Sequence, residues 1–300
     1  MSLKKLYIIV ITIAIAFSTF QISVLALNIN SKNSRRINLP ELIRFNDNWQ
    51  KDLNLLKNSS GGLVGYGFQN TTVLKDSLNS KNAFRNILRI NYAKGSVSPS
   101  YNKKQNVNGG LSAYINLKNK TSSSSALEYS IKFAPNFEFV KGGKLPGLCS
   151  DACLTGGEEV NNNGFSTRLM WRKDGDVEVY GYLPKDQSQL PNTIANPDKG
   201  LSIGRGRYRF NANRWYTIIQ RITLNEVNKN NGQLVLHIRD DKGKMTKVME
   251  YNNIKFVENS VNKIDKIVLS SFFGGNDESW ASTNNTYLDI KNMKVTHRTN

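Results

Sequence analysis

The sequence predicts an all-β protein, an antiparallel β-sandwich or jelly roll with a short helical segment at its N-terminal end. Three observations predict this fold. Several segments alternate apolar and polar residues with period two. Turn signals such as Asp-Gly, Asn-Gly and Lys-Gly separate these segments. No helical segments alternate with the strands, as they would in a parallel sheet.

The first residues predict a secretory signal peptide over residues 1–26. Lys4 and Lys5 precede a largely apolar run over residues 6–17, and Ala26 ends a stretch that signal peptidase accepts. The rival interpretation is a membrane anchor, but the run is shorter than the roughly 20 apolar residues that cross a bilayer. We therefore expect cleavage after Ala26, a secreted location and no stable membrane insertion.

Residues 27–60 differ from the rest of the chain and are predicted to form a helical lead-in to the main domain. Their apolar residues fall mostly at helical spacing, which indicates one or two short helices. The jelly-roll domain is then expected to cover residues 61–300. The apolar positions of the lead-in are Leu42, Ile43, Phe45, Trp49, Leu53 and Leu56.

Two kinds of strand are expected in the main domain. Residues 127–133, 165–172 and 234–239 alternate strictly, which is typical of strands with one face on a core. Residues 215–224 and 264–273 are more continuously apolar, which predicts strands that are covered on both faces.

The net charge indicates which chemical classes of molecule the protein binds. The chain carries +18, and removal of residues 1–26 takes away two lysines and no acids, which leaves +16. Such a balance favours a polyanion, which means nucleic acid, an anionic membrane or an acidic polysaccharide. Secretion and the dispersed basic residues argue against nucleic acid. We therefore expect an acidic polysaccharide as the partner.

The two cysteines of the chain, Cys149 and Cys153, are close enough to form a small-loop disulfide. A zinc site would need further ligands, and no nearby histidine supplies them. Four sequons predict glycosylation if the source is eukaryotic. They are at Asn58, Asn70, Asn119 and Asn284.

Residues 164–182 read as two strands around a turn, and the length of the turn decides which side chains meet. A two-residue loop, 174–175, would place the polar residues of the two strands on opposite faces. A three-residue loop, 173–175, puts Gly175 in the left-handed position that such loops require. It also gathers the apolar residues on one face, so we choose this register. The residues that then share the other face are Ser166, Arg168, Tyr180 and Tyr182.

The sequence leaves open the role of two other basic segments. Residues 141–148 contain two glycines, a proline and the lysines Lys141 and Lys144, which predicts an irregular loop. That loop is either an anion-binding loop or a solvated turn. The Gly-Arg-Gly-Arg-Tyr-Arg run over residues 204–209 either contacts an acidic polymer or forms a solvated edge. Glu178 is expected to pair with Arg172 or Lys144.

These motifs resemble those of polysaccharide lyase family 14 and its relatives among the alginate and glucuronan lyases. The resemblance is carried by Lys-Leu-Pro-Gly-Leu at 144–148, Gly-Phe-Ser-x-Arg-Leu-Met-Trp-Arg at 164–172 and Tyr-x-Tyr at 180–182. It extends more loosely over residues 61–295. It implies a concanavalin-like jelly roll that cleaves uronate polymers by β-elimination. It also implies that five positions act in catalysis or binding, namely Lys144, Ser166, Arg168, Tyr180 and Tyr182.

The chemistry of β-elimination agrees with this set. The reaction needs a group that neutralises the uronate carboxylate, a base and an acid. Arg168 is the expected carboxylate clamp, because its planar fork matches two oxygens. Tyr180 can act as the base if nearby cations favour its phenolate. Tyr182 and Lys144 are the other candidates for proton transfer, and the division among the three stays open. The residues expected to bind the polymer are Ser166, Lys141, Arg172, Phe272 and Trp280.

A non-catalytic lectin and a glycoside hydrolase are the alternative functions for this chain. A non-catalytic lectin would use the same basic face, whereas a glycoside hydrolase would need paired carboxylates that the sequence does not show. His237 and His297 are not expected to be catalytic. No cofactor is expected to be required. The pattern Asp277-Glu278 is too weak to predict a calcium site, so calcium and the oligomeric state stay open.

Overall fold

The computed structural model describes most of the chain after residue 38. The predicted signal peptide, the first part of the predicted lead-in and the sequon at Asn119 lie outside the described residues. None of the helices in the described part is long and apolar enough to cross a membrane. The described residues are 39–75, 85–118, 122–151, 153–156, 164–184, 187, 190, 193–195, 200–258 and 263–298.

Strands dominate the described residues, and helices are few and short. The helices are α1 (Trp49–Asp52) and α2 (Pro99–Gln105), with 3₁₀ turns at Phe68–Asn70, Lys173–Gly175 and Glu278–Trp280. The strands are β1 (Glu41–Leu42), β2 (Gly65–Tyr66), β3 (Thr71–Leu74), β4 (Ile87–Tyr92), β5 (Leu111–Asn116), β6 (Ser124–Phe133), β7 (Gly142–Asp151), β8 (Gly164–Arg172), β9 (Val177–Tyr182), β10 (Thr193–Ala195), β11 (Leu201–Ile203), β12 (Trp215–Thr223), β13 (Gly232–Arg239), β14 (Met245–Ile254), β15 (Lys266–Phe273) and β16 (Thr286–Arg298).

These strands form two eight-stranded antiparallel sheets. Sheet 1 has the order β14-β13-β12-β6-β16-β4-β3, with β1 paired to β16. Sheet 2 has the order β10-β11-β9-β8-β7-β15-β5-β2. Neighbours in each sheet are often distant in sequence, as in a jelly roll. The prediction of an all-β antiparallel sandwich is confirmed.

The core lies between the two sheets and is rich in aromatic side chains. Phe133 of sheet 1 meets Trp171 of sheet 2 edge to face, with ring centroids 5.6 Å apart. Trp171 in turn contacts Phe273 of β15 at 5.5 Å. All three side chains are fully buried. Edge-to-face pairs of this kind stabilise a core beyond the area they bury.

The two strands that were expected to be covered on both faces differ from each other. β15 is buried along almost its whole length, as predicted. β12 instead alternates between buried and half-buried residues. It lies in sheet 1, where Ile218 faces the core while Thr217 and Arg221 point to the outer side. An apolar run therefore did not distinguish a covered strand from a half-covered one in this case.

In its described residues, 39–60, the predicted helical lead-in is mostly not helical. The single turn α1 is the only helix within that range, and Glu41–Leu42 is instead a strand that pairs with β16. Ile43, Phe45 and Trp49 are buried in the core of the sandwich. The apolar residues of this segment therefore serve tertiary packing, which overrides a weak local helical pattern.

Asn70, one of the four sequon asparagines, is buried. Its side-chain amide donates a hydrogen bond to the carbonyl of Gly110 at 2.9 Å. A glycan could not be attached to this side chain without breaking that contact. Glycosylation at Asn58 and Asn284 stays a prediction.

The segment 141–148 is not the irregular loop that its glycines and proline predicted. Lys141 lies in a turn, and residues 142–148 belong to strand β7, which pairs with β8 and β15 and contains an irregularity between Lys144 and Gly147. Pro146 lies within this irregularity, where a strand tolerates the missing N–H group. The glycines permit close packing, because a Cβ atom on Gly147 would lie 1.8 Å from the carbonyl oxygen of Thr167.

Replacement of Gly147 with alanine is expected to lower the free energy of unfolding by roughly 3 kcal/mol, because overpacking forces backbone shifts. Chemical denaturation monitored by fluorescence measures the change. Gly156→Ala is the control, since the nearest atom to its added methyl group is the Tyr182 hydroxyl at 3.9 Å. Equal free energies of unfolding for Gly147→Ala and Gly156→Ala would contradict the conclusion that Gly147 permits close packing.

Candidate active site

The hairpin formed by β8 and β9 has the predicted register. Gly175 has φ +84°, in the left-handed region, and the backbone N–H of Arg172 donates to the carbonyl of Asp176 at 2.7 Å. Arg168 is paired with Tyr180, and Ser166 is paired with Tyr182. The four polar candidates therefore lie on one face of sheet 2. The apolar residues of the hairpin, Phe165, Leu169, Trp171, Val177 and Val179, belong to the core.

This outward face of sheet 2, here called the site face, carries three rows of side chains that cross the strands. Strand pairing alone places the members of each row side by side. The first row is Phe272, Lys144, Met170 and Glu178; the second is Val268, Gly147, Arg168, Tyr180 and Ser202; the third is Lys266, Cys149, Ser166 and Tyr182.

Lys144 occupies the centre of the first row and is only 9% exposed. Its Nζ atom lies 2.7 Å from Sδ of Met170 and 3.6 Å from the centroid of the Tyr180 ring. Burial lowers the pKa of Lys144 well below its usual value, and the positive charges of Arg168 and Arg172 lower it further. The amine is therefore biased towards its neutral form, which can accept a proton.

Tyr180 lies beside Lys144 and is 8% exposed. Its hydroxyl oxygen accepts a hydrogen bond from the backbone N–H of Gly200 at 3.0 Å. Burial raises the pKa of Tyr180, although the Gly200 contact and the charges of Arg172 and Arg168 act in the opposite direction. Desolvation therefore outweighs the nearby cations and favours the protonated form of Tyr180. The division of the base and acid roles, which the sequence left open, stays a prediction.

Arg168 lies between these groups in the second row and is 2% exposed. Its guanidinium carbon is 5.9 Å from the centroid of the Tyr182 ring. Its strand partner is Gly147, which has no side chain. Arg168 therefore carries its positive charge on the same face of sheet 2 as Lys144 and Tyr180.

Ser166 and the disulfide form one end of the site. Cys149 and Cys153 are bonded, which confirms the predicted disulfide. The Ser166 hydroxyl is fully buried and donates to the carbonyl of Leu154 at 2.5 Å. The Leu154 side chain packs with Tyr182 and its neighbours. Ser166 therefore fixes the loop after the disulfide, and its expected contact with the polymer stays a prediction.

Glu178 ends the first row and has several partners, two of which the sequence did not identify. Its carboxylate, which is fully buried, accepts hydrogen bonds from Arg172 at 2.8 Å, Arg205 at 2.6 Å and Ser202 at 2.5 Å. Burial acts to raise the pKa of Glu178, but these contacts lower it overall, so it stays ionised. The pairing of Glu178 with Arg172 was expected. Arg205 belongs to the basic run 204–209, whose role the sequence left open.

The remaining predicted residues lie at the edge of the site. Lys141 donates from Nζ to the hydroxyl of Ser279 at 2.6 Å and lies 5.9 Å from the centroid of the Trp280 ring. Trp280 packs against Gly275, where an added Cβ would lie 2.2 Å from its ring. Phe272 is paired with Lys144 on the site face, whereas Phe273 is buried in the core.

Comparison with known families decides the classification of this chain. The model of polysaccharide lyase 14 matches residues 80–293, which is more than half of the sequence and contains every residue of the site. The chain belongs to polysaccharide lyase family 14. The resemblance drawn from the motifs is thereby confirmed.

Individual members and solved structures agree with this placement in polysaccharide lyase family 14. The PL-14 alginate lyase of Aplysia kurodai has a TM-score of 0.69 and 29% identity, covering 78% of this chain and 89% of that chain. Alginate lyase vAL-1 from Chlorella virus has a TM-score of 0.59 and 18% identity, covering 76% and 88%. The exolysin of Paramecium bursaria Chlorella virus 1 is 26% identical over 222 residues, 65% of this chain and 31% of that protein. The chain thus spans about a third of the length of this curated relative.

Neither histidine contributes to the site of this polysaccharide lyase family member. His237 lies on β13 and His297 on β16, and both strands belong to sheet 1. The buried ring of His297 contacts the Ser125 hydroxyl at 2.9 Å. In the described part of the chain, no three His, Cys, Asp or Glu side chains come together as metal ligands would. A calcium requirement stays untested.

Proposed function

We propose that this protein is secreted and cleaves an acidic, uronate-containing polysaccharide of the alginate or glucuronan type by β-elimination. The observation that carries the proposal is the contact between Lys144 and Tyr180 on the site face. A base and an acid with oppositely shifted pKa values lie together beside the arginine Arg168. Such pairs are typical of sites where a carbon acid is deprotonated and a leaving group is protonated.

Lys144 is proposed as the general base. The neutral amine takes the proton from the carbon next to the uronate carboxylate, and the electron pair that remains forms the new double bond. Arg168 binds the carboxylate and stabilises the negative charge that develops on it, as a preorganised donor does in a site shielded from water. The low exposure of both side chains strengthens this interaction.

Tyr180 is proposed as the general acid. Its oxygen already accepts the N–H of Gly200, so its own proton is available for donation. It passes that proton to the glycosidic oxygen as the bond to the 4-linked sugar breaks. The products are a shortened chain and a chain with an unsaturated uronate at its new end.

Several features support the choice of polymer. The protein carries a net charge of +18, and the site face brings together Lys144, Arg168, Arg172 and Arg205. Alginate is the first polymer to test, because the Aplysia kurodai relative is an alginate lyase. Secretion rests on the sequence of residues 1–26 alone.

The experiment is to incubate the mature protein with alginate, glucuronan and other polyuronates and to follow the ultraviolet absorbance of unsaturated uronate. We expect absorbance to rise with at least one polymer. Binding of these polymers without any rise would exclude the lyase and support the non-catalytic lectin, which uses the same face without proton transfer.

The pH dependence of kcat follows from the two pKa shifts. Lys144 must be neutral, so kcat rises as the pH passes its lowered pKa, and it falls only near the raised pKa of Tyr180. Arg172→Gln removes a positive charge that lowers the pKa of Lys144. The rising limb is therefore expected to move to higher pH, measured at saturating substrate.

The control for this shift is Arg209→Gln, which also removes one positive charge. Arg209 pairs with Asp176 at 2.8 Å and does not contact Lys144. The rising limb of the plot of kcat against pH for Arg209→Gln should coincide with that of the unmodified protein. A limb that stays in place or moves to lower pH in Arg172→Gln would contradict the assignment of Lys144 as base.

A further inference from the structure

Two arginines share one buried carboxylate at the end of the first row. The Oε1 atom of Glu178 lies 2.8 Å from Nε and 2.6 Å from Nη2 of Arg172. Its Oε2 atom accepts from Nε of Arg205 at 2.6 Å. Nη2 of Arg205 is also 3.3 Å from the hydroxyl of Ser202. Glu178 thus fixes both guanidinium groups by one edge.

The charge of this cluster is not balanced. One arginine would neutralise Glu178, so the second leaves a net positive charge at a partly shielded position. Each guanidinium has five N–H donors, and the contacts to Glu178 and Ser202 use only some of them. Within the described residues, no further acceptor is recorded for Arg172 or Arg205. Planar guanidinium groups with free donors match a carboxylate through two parallel hydrogen bonds.

The position of the cluster relates it to the reacting groups. Glu178 is three strands away from Phe272 along the first row, which is about 14 Å at the usual strand spacing. Lys144 lies within that row, one strand from Phe272. Arg205 lies beyond Glu178, just after Gly204, whose φ of +68° is in the left-handed region. Its side chain is 39% exposed and so can be reached by a polymer.

We propose that Arg172 and Arg205, held side by side by Glu178, bind the carboxylate of a uronate that neighbours the sugar being cleaved. This rests on the proposed function, because it assumes a polyuronate lying along the first row. Arg168 binds the carboxylate of the reacting sugar, and the arginine pair binds the next one. Glu178 is a positioning residue, and Arg205 determines specificity for charged over neutral neighbours.

The test compares Arg205→Gln with Arg209→Gln. Both substitutions remove one positive charge from the same basic run, but Arg209 pairs with Asp176 away from Glu178. The substrates are oligouronates of increasing length, prepared from the polymer that the unmodified protein cleaves best. Thermal unfolding of each variant verifies that the fold is kept.

For Arg205→Gln, we expect KM to rise about tenfold on long oligomers, equivalent to about 1.4 kcal/mol, with kcat within about twofold. The rise should disappear on the shortest oligomer that is cleaved, since it does not reach the arginine pair. Arg209→Gln should keep its KM at every length. An equal loss at all lengths, an unchanged KM or an equal effect of Arg209→Gln would overturn the proposal.

Calorimetric binding of alginate and glucuronan oligomers prepared by acid hydrolysis, which requires no cleavage by the protein, separates this proposal from the proposed function. If the unmodified protein cleaves no polyuronate, the lyase assignment fails by itself. Weaker binding by Arg205→Gln, with unchanged binding by Arg209→Gln, would still support the arginine pair as a carboxylate site. Equal binding by all three proteins would exclude the pair whatever the activity.

Discussion

Replacement of Lys144 with methionine is expected to lower kcat by roughly 10²–10⁴-fold, the contribution of a positioned general base. Methionine keeps the length and apolar character of the side chain but cannot accept a proton. Because Lys144 is biased towards its neutral form, its charge contributes little to binding, and affinity for the polymer should be retained. Initial rates by ultraviolet absorbance and calorimetric binding measure the two effects separately.

The control for Lys144→Met is Lys132→Met. Lys132 is on β6 of sheet 1, where its Nζ atom lies 6.0 Å from the centroid of the Trp215 ring. This variant should keep its activity. Turnover of Lys144→Met within about tenfold of the unmodified protein would show that another group removes the proton.

Replacement of Tyr180 with phenylalanine is expected to reduce kcat by a similar factor, about 10²–10⁴-fold. The ring next to Lys144 is kept, so packing changes little, but the proton for the leaving oxygen is lost. The N–H of Gly200 also loses its acceptor, which costs about 1–3 kcal/mol of stability if the group stays buried. Rates measured well below the unfolding temperature separate this cost from the loss of the acid.

Tyr182→Phe is the matched comparison for this assignment. Tyr182 lies on the same strand, its ring centroid is 5.8 Å from that of Tyr180, and it packs against Leu154. Under the proposed roles it should lose less activity than Tyr180→Phe. The reverse order would transfer the role of acid to Tyr182.

Burial informs the choice of proton carrier among Lys144, Tyr180 and Tyr182, which the sequence left open. From the sequence, Tyr180 was a candidate base, because cations nearby favour a phenolate. The cations are present, since the charges of Arg172 and Arg168 do lower the pKa of Tyr180. Burial has the larger effect on Tyr180, and it lowers the pKa of Lys144, which is why we propose Lys144 as the base. Burial depends on the whole fold, so local sequence could not supply this result.

Part of the site could nevertheless be predicted from the sequence alone. The alternation of residues 164–182, with Gly175 third in its loop, was sufficient to place Ser166 opposite Tyr182 and Arg168 opposite Tyr180. Register within a hairpin is a local property, because the turn and the apolar face determine it together. The disulfide between Cys149 and Cys153 is local in the same sense.

Other features depend on contacts between distant segments and were predicted incorrectly or not at all. The glycines and proline of residues 141–148 indicated a loop, yet the segment is a strand that packs tightly against Thr167. The spacing of residues 42–56 indicated one or two helices, yet only Trp49–Asp52 forms a helical turn, and Phe45 lies outside it in the sandwich core. In both cases, the same local pattern is compatible with more than one tertiary structure. The segments that pack against it determine which one forms.

The sequence by itself determined the all-β class, the register of the central hairpin and membership of the polysaccharide lyase family, because alternation, turn residues and motifs are local. Only the tertiary structure decided that Lys144 is buried beside Tyr180, that Ser166 holds a loop, and that Arg205 joins Arg172 on Glu178. These contacts join separate segments of the chain. Their effect on charge depends on burial, which no single segment of the sequence encodes.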